Sequence, residues 1–133
     1  MPLAADRHTN KRDGKTLSIP VAAGVVIYAG AQVAVNAAGF AVPGSESAAL
    51  TYMGRAEAQV DNTGGAAGDI NVQVLRGQAF KWANSATDPV DQSCMGQVCY
   101  IEDDETVSKT DNAEARSASG KVIAIDDDGV WVL

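Results

Sequence analysis

Side chains able to do chemistry are few in this chain of 133 residues. Its one imidazole, His8, lies in a polar leading stretch and not after a strand, where a Ser-His-Asp triad would hold it. Cys94 and Cys99 are separated by four residues, with Gly96 between. In a single strand that separation puts them on opposite faces, so a bridge would need a turn at Met95-Gly96-Gln97, and the spacing is not that of a redox pair. Reduced, half-buried packing thiols are expected. A zinc site would need further ligands that no second His or third Cys supplies. The runs Glu102-Asp103-Asp104-Glu105 and Asp126-Asp127-Asp128-Gly129 raise the question of calcium, which needs many oxygens converging on one point. Neither has the alternating spacing of an EF-hand loop, and both read as exposed turn carboxylates. Gly64-Gly65-Ala66-Ala67-Gly68 lacks the Lys-Ser/Thr and helix of a phosphate-binding loop. No lysine occurs between Lys15 and Lys81, and Lys121 begins a strand, which disfavours a lipoyl- or biotin-type carrier. No catalytic residue, metal ligand or cofactor is expected, and the chain reads as a non-enzyme.

The elements that would position any site are short strands. Ser18–Val21, Val25–Tyr28, Gln32–Val35 and Phe40–Val42 are β-branched runs punctuated by Gly24, Gly30, Asn36, Gly39 and Pro43-Gly44, which is hairpin grammar. Ser45–Leu50 is the one stretch that could form a helical turn, with Ser45 or Ser47 as its cap. Tyr52 to Val60 alternates, which predicts one strand with Tyr52, Gly54, Ala56, Ala58 and Val60 inward. The small inner residues imply close packing against another sheet or a large side chain such as Trp82. Asp61–Asp69 reads as an exposed loop. Ile70–Val74, Gln78–Trp82, Val98–Ile101, Thr106–Ser108 and Lys121–Ile125 follow as strands, with 83–93 irregular. A hairpin at Asp127-Asp128-Gly129 leads into Val130–Leu133. Turn signals every few residues predict an all-β fold, a compact β-barrel or β-sandwich spanning 17–133 as one domain.

Residues 1–16 form an extended N-terminal arm of different character. The arm holds four basic and two acidic residues, net +2; the rest holds six and fifteen, net −9. The whole chain is net −7, with a pI near 4.4. Such a surface repels phosphate backbones, so no nucleic-acid partner is expected. No apolar run of membrane-spanning length or signal-peptide core is present, so no membrane partner or export is expected. The arm reads either as a frayed terminus or as a segment that orders on a neighbouring protein surface.

Several segments together resemble small structural proteins encoded beside the major capsid protein in Mu-like tailed phages and prophages. They are Arg7-His8-Thr9-Asn10, Arg12-Asp13-Gly14, Ile19–Gly24, Tyr28–Val33, Leu50–Glu57, Val60–Gly65, Arg76–Trp82 and Gly129–Val132. The resemblance implies a head decoration (cement) protein of β-barrel or β-tulip fold. Such a protein is made in the host cytoplasm and binds the major capsid protein on the capsid exterior, as a homotrimer at local threefold sites. It also implies an arm that reaches over the shell, here through Arg7, His8, Asn10, Lys11 and Arg12. Tyr28, Phe40 and Trp131 are then candidates for the trimer interface or the apolar core. The alternatives are another virion part (a head-fibre base or tail-associated β-domain) and a bacterial carbohydrate-binding β-domain with Tyr52, Trp82 or Trp131 as a stacking platform.

Overall fold

The computed structural model describes residues 1–133, and beyond the arm the chain is built from strands. The first half contains β1 (Thr16–Pro20), β2 (Val26–Ile27), β3 (Gln32–Val35), β4 (Ala41–Pro43), β5 (Thr51–Ala56), β6 (Val60–Asp61) and β7 (Asn71–Leu75). The second contains β8 (Phe80–Asn84), β9 (Val98–Ile101), β10 (Thr106–Ser108), β11 (Ala118–Asp126) and β12 (Gly129–Val132). The segment expected to be one barrel or sandwich thus comprises two five-stranded units, each around its own apolar cluster. Val21, Ile27, Val33, Val72 and Val74 centre the first; Trp82, Cys99, Val107, Val122 and Val130 centre the second.

The two units have one topology. The second closes as β8-β12-β11-β9-β10, every neighbouring pair antiparallel except β10 with β8. The first runs β1-β7-β5-β3-β4 with all pairs antiparallel, and its ends meet at one parallel bridge, Val21 to Ala41. Strand for strand, β1, β3, β4, β5 and β7 correspond to β8, β9, β10, β11 and β12, while β2 and β6 form a ribbon peculiar to the first unit. Backbone hydrogen bonds repeat at the matching places. Gly30 N–H donates to Ala56 O as Gly96 N–H does to Val122 O, and Ala22 N–H donates to Ala41 O as Ser85 N–H does to Val107 O.

Even the irregularities recur. β5 carries a bulge, because Val33 faces Gly54 while Ala34 faces Tyr52, leaving Met53 as the extra residue. β11 does the same one unit later: Cys99 faces Gly120, Tyr100 faces Ala118, and Ser119 is extra. The glycine after each bulge lets the last strand approach. A Cβ on Gly54 would stand 2.3 Å from Leu75 O, and one on Gly120 2.8 Å from Leu133 O. Gly54 also has φ +147°, a region open to glycine and costly to other residues.

The bulge corrects the expected strand 52–60. Met53 packs on the first cluster while Tyr52 packs on the second. The strand ends at Ala56, so Ala58 is exposed. The close partner of Gly54 is the Leu75 main chain and not Trp82. Ser45–Leu50 is not helical. Ser47 Oγ accepts from Ala49 N–H to make an isolated turn, and Ser117 Oγ, donating to Ser47 O and accepting from Leu50 N–H, straps it to the other unit. The hairpin loop is Asp127-Asp128, with Asp126 paired to Gly129 and neither loop residue at positive φ. The expected irregular connection 83–93 is shorter than that: β8 runs on through Ala83 and Asn84, residues 85–91 are irregular, and Asp91 caps a 3-10 turn, Gln92–Cys94.

One side chain makes a fully desolvated link between the halves. Gln32 on β3 is wholly buried. Its Nε2 donates to Asp103 O at 2.9 Å and Thr106 O at 3.1 Å, and its Oε1 accepts from Ser119 Oγ at 2.8 Å. Its main-chain N–H donates to Asp104 O at 2.7 Å, and its carbonyl accepts from Gly44 N–H at 2.8 Å. Truncating this amide removes the donor to the Asp103 and Thr106 carbonyls and the acceptor for the buried Ser119 hydroxyl. Thr106 O keeps the Glu102 N–H, so the loss is one or two unsatisfied groups at about 1–3 kcal/mol each plus the amide's own packing. Gln32→Ala is therefore expected to lower stability by about 3 kcal/mol in urea denaturation at unchanged m-value, whereas Gln73→Ala, on an exposed position of β7, shifts it by under about 0.5 kcal/mol.

Candidate functional site

The arm stands apart from the body. Every residue from Met1 to Thr16 is exposed, Leu3 at 74%, and none from Met1 to Arg12 takes part in a hydrogen bond or ion pair. Asp13 Oδ1 accepts from Lys15 N–H, and Lys15 O accepts from Arg76 N–H, fixing the arm's root at the edge of β1. Arg7, His8, Asn10, Lys11 and Arg12 therefore all present their side chains outward with no partner in their own chain. The body behind them is acidic, and most of its cations are engaged. Lys81 pairs with Asp128 at 2.5 Å, Lys109 with Asp91 at 3.0 Å, and Arg55 with Glu57 at 2.6 Å.

The three apolar candidates lie in different settings. Tyr28 is 59% exposed in a groove of about 400 Å³ across the junction, with Gly30 and Ala31 on one wall and Asp104 and Glu105 on the other. Phe40 is half-buried on the first unit, one ring edge covered by Gly68. Trp131 is half-buried on the outer face of the second barrel, opposite Lys81, and its Nε1–H donates to Asp126 at 2.8 Å. The structure does not gather them into one patch.

Nor does it assemble a stacking platform. Trp82 is only 4% exposed, inside the second barrel and 5.9 Å from Phe80 between ring centroids. Its Nε1–H has no acceptor in hydrogen-bonding geometry. Tyr52 is half-buried over the same core, and burial, reinforced by the Cys99 thiol, pushes its phenol up to about 12 against the pull of Arg76 and Arg55. The cysteines are more deeply covered than expected, at 7% and 1% exposure, and both are free thiols. Burial raises Cys99 to about 11, which suppresses the reactive thiolate. The second acidic run is held by Lys81, and in the first Glu102 is tied to Arg116 and Ser85.

A feature the sequence did not announce surrounds Arg116. Its guanidinium is 9% exposed and meets Glu46 at 3.1 Å, Glu102 at 3.2 Å and Asp88 at 3.6 Å. Just before it, Asn112, Ala113 and Glu114 have φ of 51°, 57° and 70°, a left-handed turn costing roughly 1–2 kcal/mol per residue. Asn112 donates to Glu46 at 3.0 Å, so the strained turn and the Arg116 node are pinned together on the first unit. No spacing rule marks an arginine that draws its carboxylates from positions 46, 88 and 102.

No family model, curated protein or solved structure matches the chain.

Tyr52 and Cys99 both hold their protons more tightly folded than unfolded, so the stability they contribute is present below pH 9 and lost as pH rises toward 12. The melting temperature is expected to be level around neutrality and to fall between pH 9 and 12. Tyr52→Phe should remove the upper part of that fall and the tyrosinate absorbance at its high end; a pH titration of both signals checks this.

Proposed function

We propose that this protein is a non-enzymatic head decoration (cement) protein, a virion component that binds the exterior of a tailed-phage major capsid protein shell as a homotrimer and stabilises it. The observation that carries this reading is the arm. Fifteen residues, cationic in front of an anionic body, bond to nothing in their own chain beyond their root. An exposed extended segment of this kind gains its order from another surface, and pairing as an added strand needs little more than main-chain hydrogen bonds. The residue-level resemblance to capsid-adjacent phage proteins supplies the identity of that surface. The body suits the role, being one closed barrel and one five-stranded sheet whose ends meet at a single bridge, so its edges offer few unpaired strands for aggregation.

In this reading the arm lies over capsid subunits while the body sits above their junction. Each contact is modest, but symmetry repeats it, and linked contacts gain from effective concentration. Arg7, Lys11 and Arg12 supply charge to the arm's grip, His8 and Asn10 supply hydrogen bonds. The acidic body keeps the free protein soluble and away from DNA before assembly.

Deleting residues 2–14 is expected to leave the melting temperature unchanged, since those residues contact nothing in the body, and to weaken binding to expanded capsids at least about tenfold. Co-sedimentation with purified heads measures it. Undiminished binding would remove the arm from the mechanism.

A further inference from the structure

Most cations of the body are engaged by its own carboxylates. Arg55, Lys81, Lys109 and Arg116 each form an ion pair, which leaves Arg76 and Lys121, and of these two only Arg76 borders a cavity. That cavity is a groove of about 430 Å³ between the halves, within the size range of sites that hold small molecules. Tyr52, Met53 and Arg76 wall it on the first unit, and Phe80, Ser119 and Val132 wall it on the second. Met53, Phe80 and Val132 give it apolar surface. Its polar part is the Tyr52 hydroxyl with the Arg76 guanidinium, which lies near enough to loosen the phenol's proton. A buried donor beside the groove is unsatisfied. Trp82 is 4% exposed, and its Nε1–H has no acceptor in hydrogen-bonding geometry, a condition native interiors seldom tolerate. The oxygen that this N–H faces is that of Tyr52, whose proton it too helps to loosen against the effect of burial. Indole, phenol and groove thus stand in series.

We propose that this groove binds a small apolar monocarboxylate, its anionic end held by Arg76 and the Tyr52 hydroxyl and its chain laid on Met53, Phe80 and Val132. The charge of the ligand follows from the groups present. One guanidinium without a partner balances one negative charge, and its planar fork suits a carboxylate. Arg55, stacked on the Phe80 ring at 4.7 Å, is already neutralised by Glu57 at 2.6 Å. A dianion would therefore face a body of net charge −9 with no second free cation in the groove, and a cationic ligand would be repelled by Arg76. The carboxylate also answers the buried orphan. As it accepts from Tyr52 O–H it polarises the phenol and makes that oxygen a stronger acceptor for Trp82 Nε1–H, because hydrogen bonds in a chain reinforce one another. A filled groove completes the series from indole through phenol to ligand. Its walls come from both units, so occupancy ties them together and stabilises the folded chain by mass action.

Octanoate, titrated below its micelle-forming concentration into the ¹⁵N-labelled full chain, tests this by NMR. The chain has two indole N–H groups, and that of Trp131 already donates to Asp126, so it serves as an internal reference. Octanoate is expected to move the Trp82 indole resonance saturably to lower field, to leave that of Trp131 in place, and to raise the melting temperature. 1-Octanol, with the same chain and no charge, should bind at least about tenfold more weakly, the usual worth of a charge-assisted hydrogen bond. Arg76→Gln should weaken octanoate by a similar factor while leaving the melting curve of the unliganded protein unchanged, since the Arg76 guanidinium pairs with nothing. Tyr52→Phe keeps the groove's shape and should abolish the Trp82 shift. Absence of saturation by octanoate overturns the proposal, as does equal affinity for octanol or undiminished binding to Arg76→Gln. An acidic peptide that occupies the groove where octanoate does not would assign it to a protein partner and overturn the proposal equally. None of these readouts involves a capsid, so a failure here leaves the decoration reading as it stands.

Discussion

The buried amide of Gln32 is the constraint on which the arrangement of this molecule rests. Each barrel unit has about sixty residues, a size at which a single core is only marginally sufficient. Both cores are rich in valine; the first adds alanine and isoleucine and has no aromatic residue, while the second holds Phe80 and Trp82. The halves therefore depend on each other, and the apolar contribution to that dependence is thin: Tyr52 and Leu75 reach across to the second cluster. The remainder is hydrogen bonding directed by one side chain whose donors and acceptor all find partners on the other unit. A wholly desolvated amide is costly unless every group is satisfied, so it admits one relative placement of the units and rejects neighbouring ones. The Arg116 node adds ion pairs close by, to Glu46 two residues beyond Gly44 and to Glu102 next to Asp103.

The two units keep one topology while their residues differ: Gln32 stands where the second unit has Val98, and Ser119 stands where the first has Met53. The bulges and their following glycines are retained in both copies because they set barrel closure, which each unit must achieve alone. The ribbon of β2 with β6 and the long connection to β7 belong to the first unit only, while the second joins β11 to β12 by Asp127-Asp128.

Much of the strand content was legible from the residues. The period-two alternation of Val72 and Val74, the Gln32–Val35 run and the apolar Val98–Ile101 each correspond to a strand, and the change of charge at the arm marked the boundary of the body. The repeat was hidden for a physical reason. From β3 to β5 the matches fall at one separation, Gln32 with Val98, Phe40 with Thr106 and Gly54 with Gly120, but most matched residues differ in type. Ile19 with Trp82 and Val72 with Val130 fall at other separations, because the flanking loops differ in length. Only Val72-Gln73-Val74-Leu75 beside Val130-Trp131-Val132-Leu133, and the glycines after the bulges, keep a visible likeness. The bulge at Met53 was hidden too: Gly54 and Ala56 face inward as the alternation predicts, but the extra residue breaks the period before them, so that Met53 and not Tyr52 packs on the first cluster. Gln32 was misleading in a third way: a glutamine in a strand reads as its wet side, and its burial depends on a turn more than seventy residues away.

On the proposed reading, a head decoration subunit has to resist forces that pull its supports apart, and a rigid body serves this better than a deformable one. Two barrels locked by a saturated amide and a multidentate arginine transmit load through hydrogen bonds of fixed geometry, not through sliding apolar contact. The arm is the opposite kind of material, extended and unpaired, so it can conform to whatever surface it finds. Separating the two functions along the chain also separates their chemistry. On the same proposed reading the cationic arm gains from long-range attraction to its partner, while the anionic body repels other copies of itself and so keeps the free protein from clumping before the arm has found its surface.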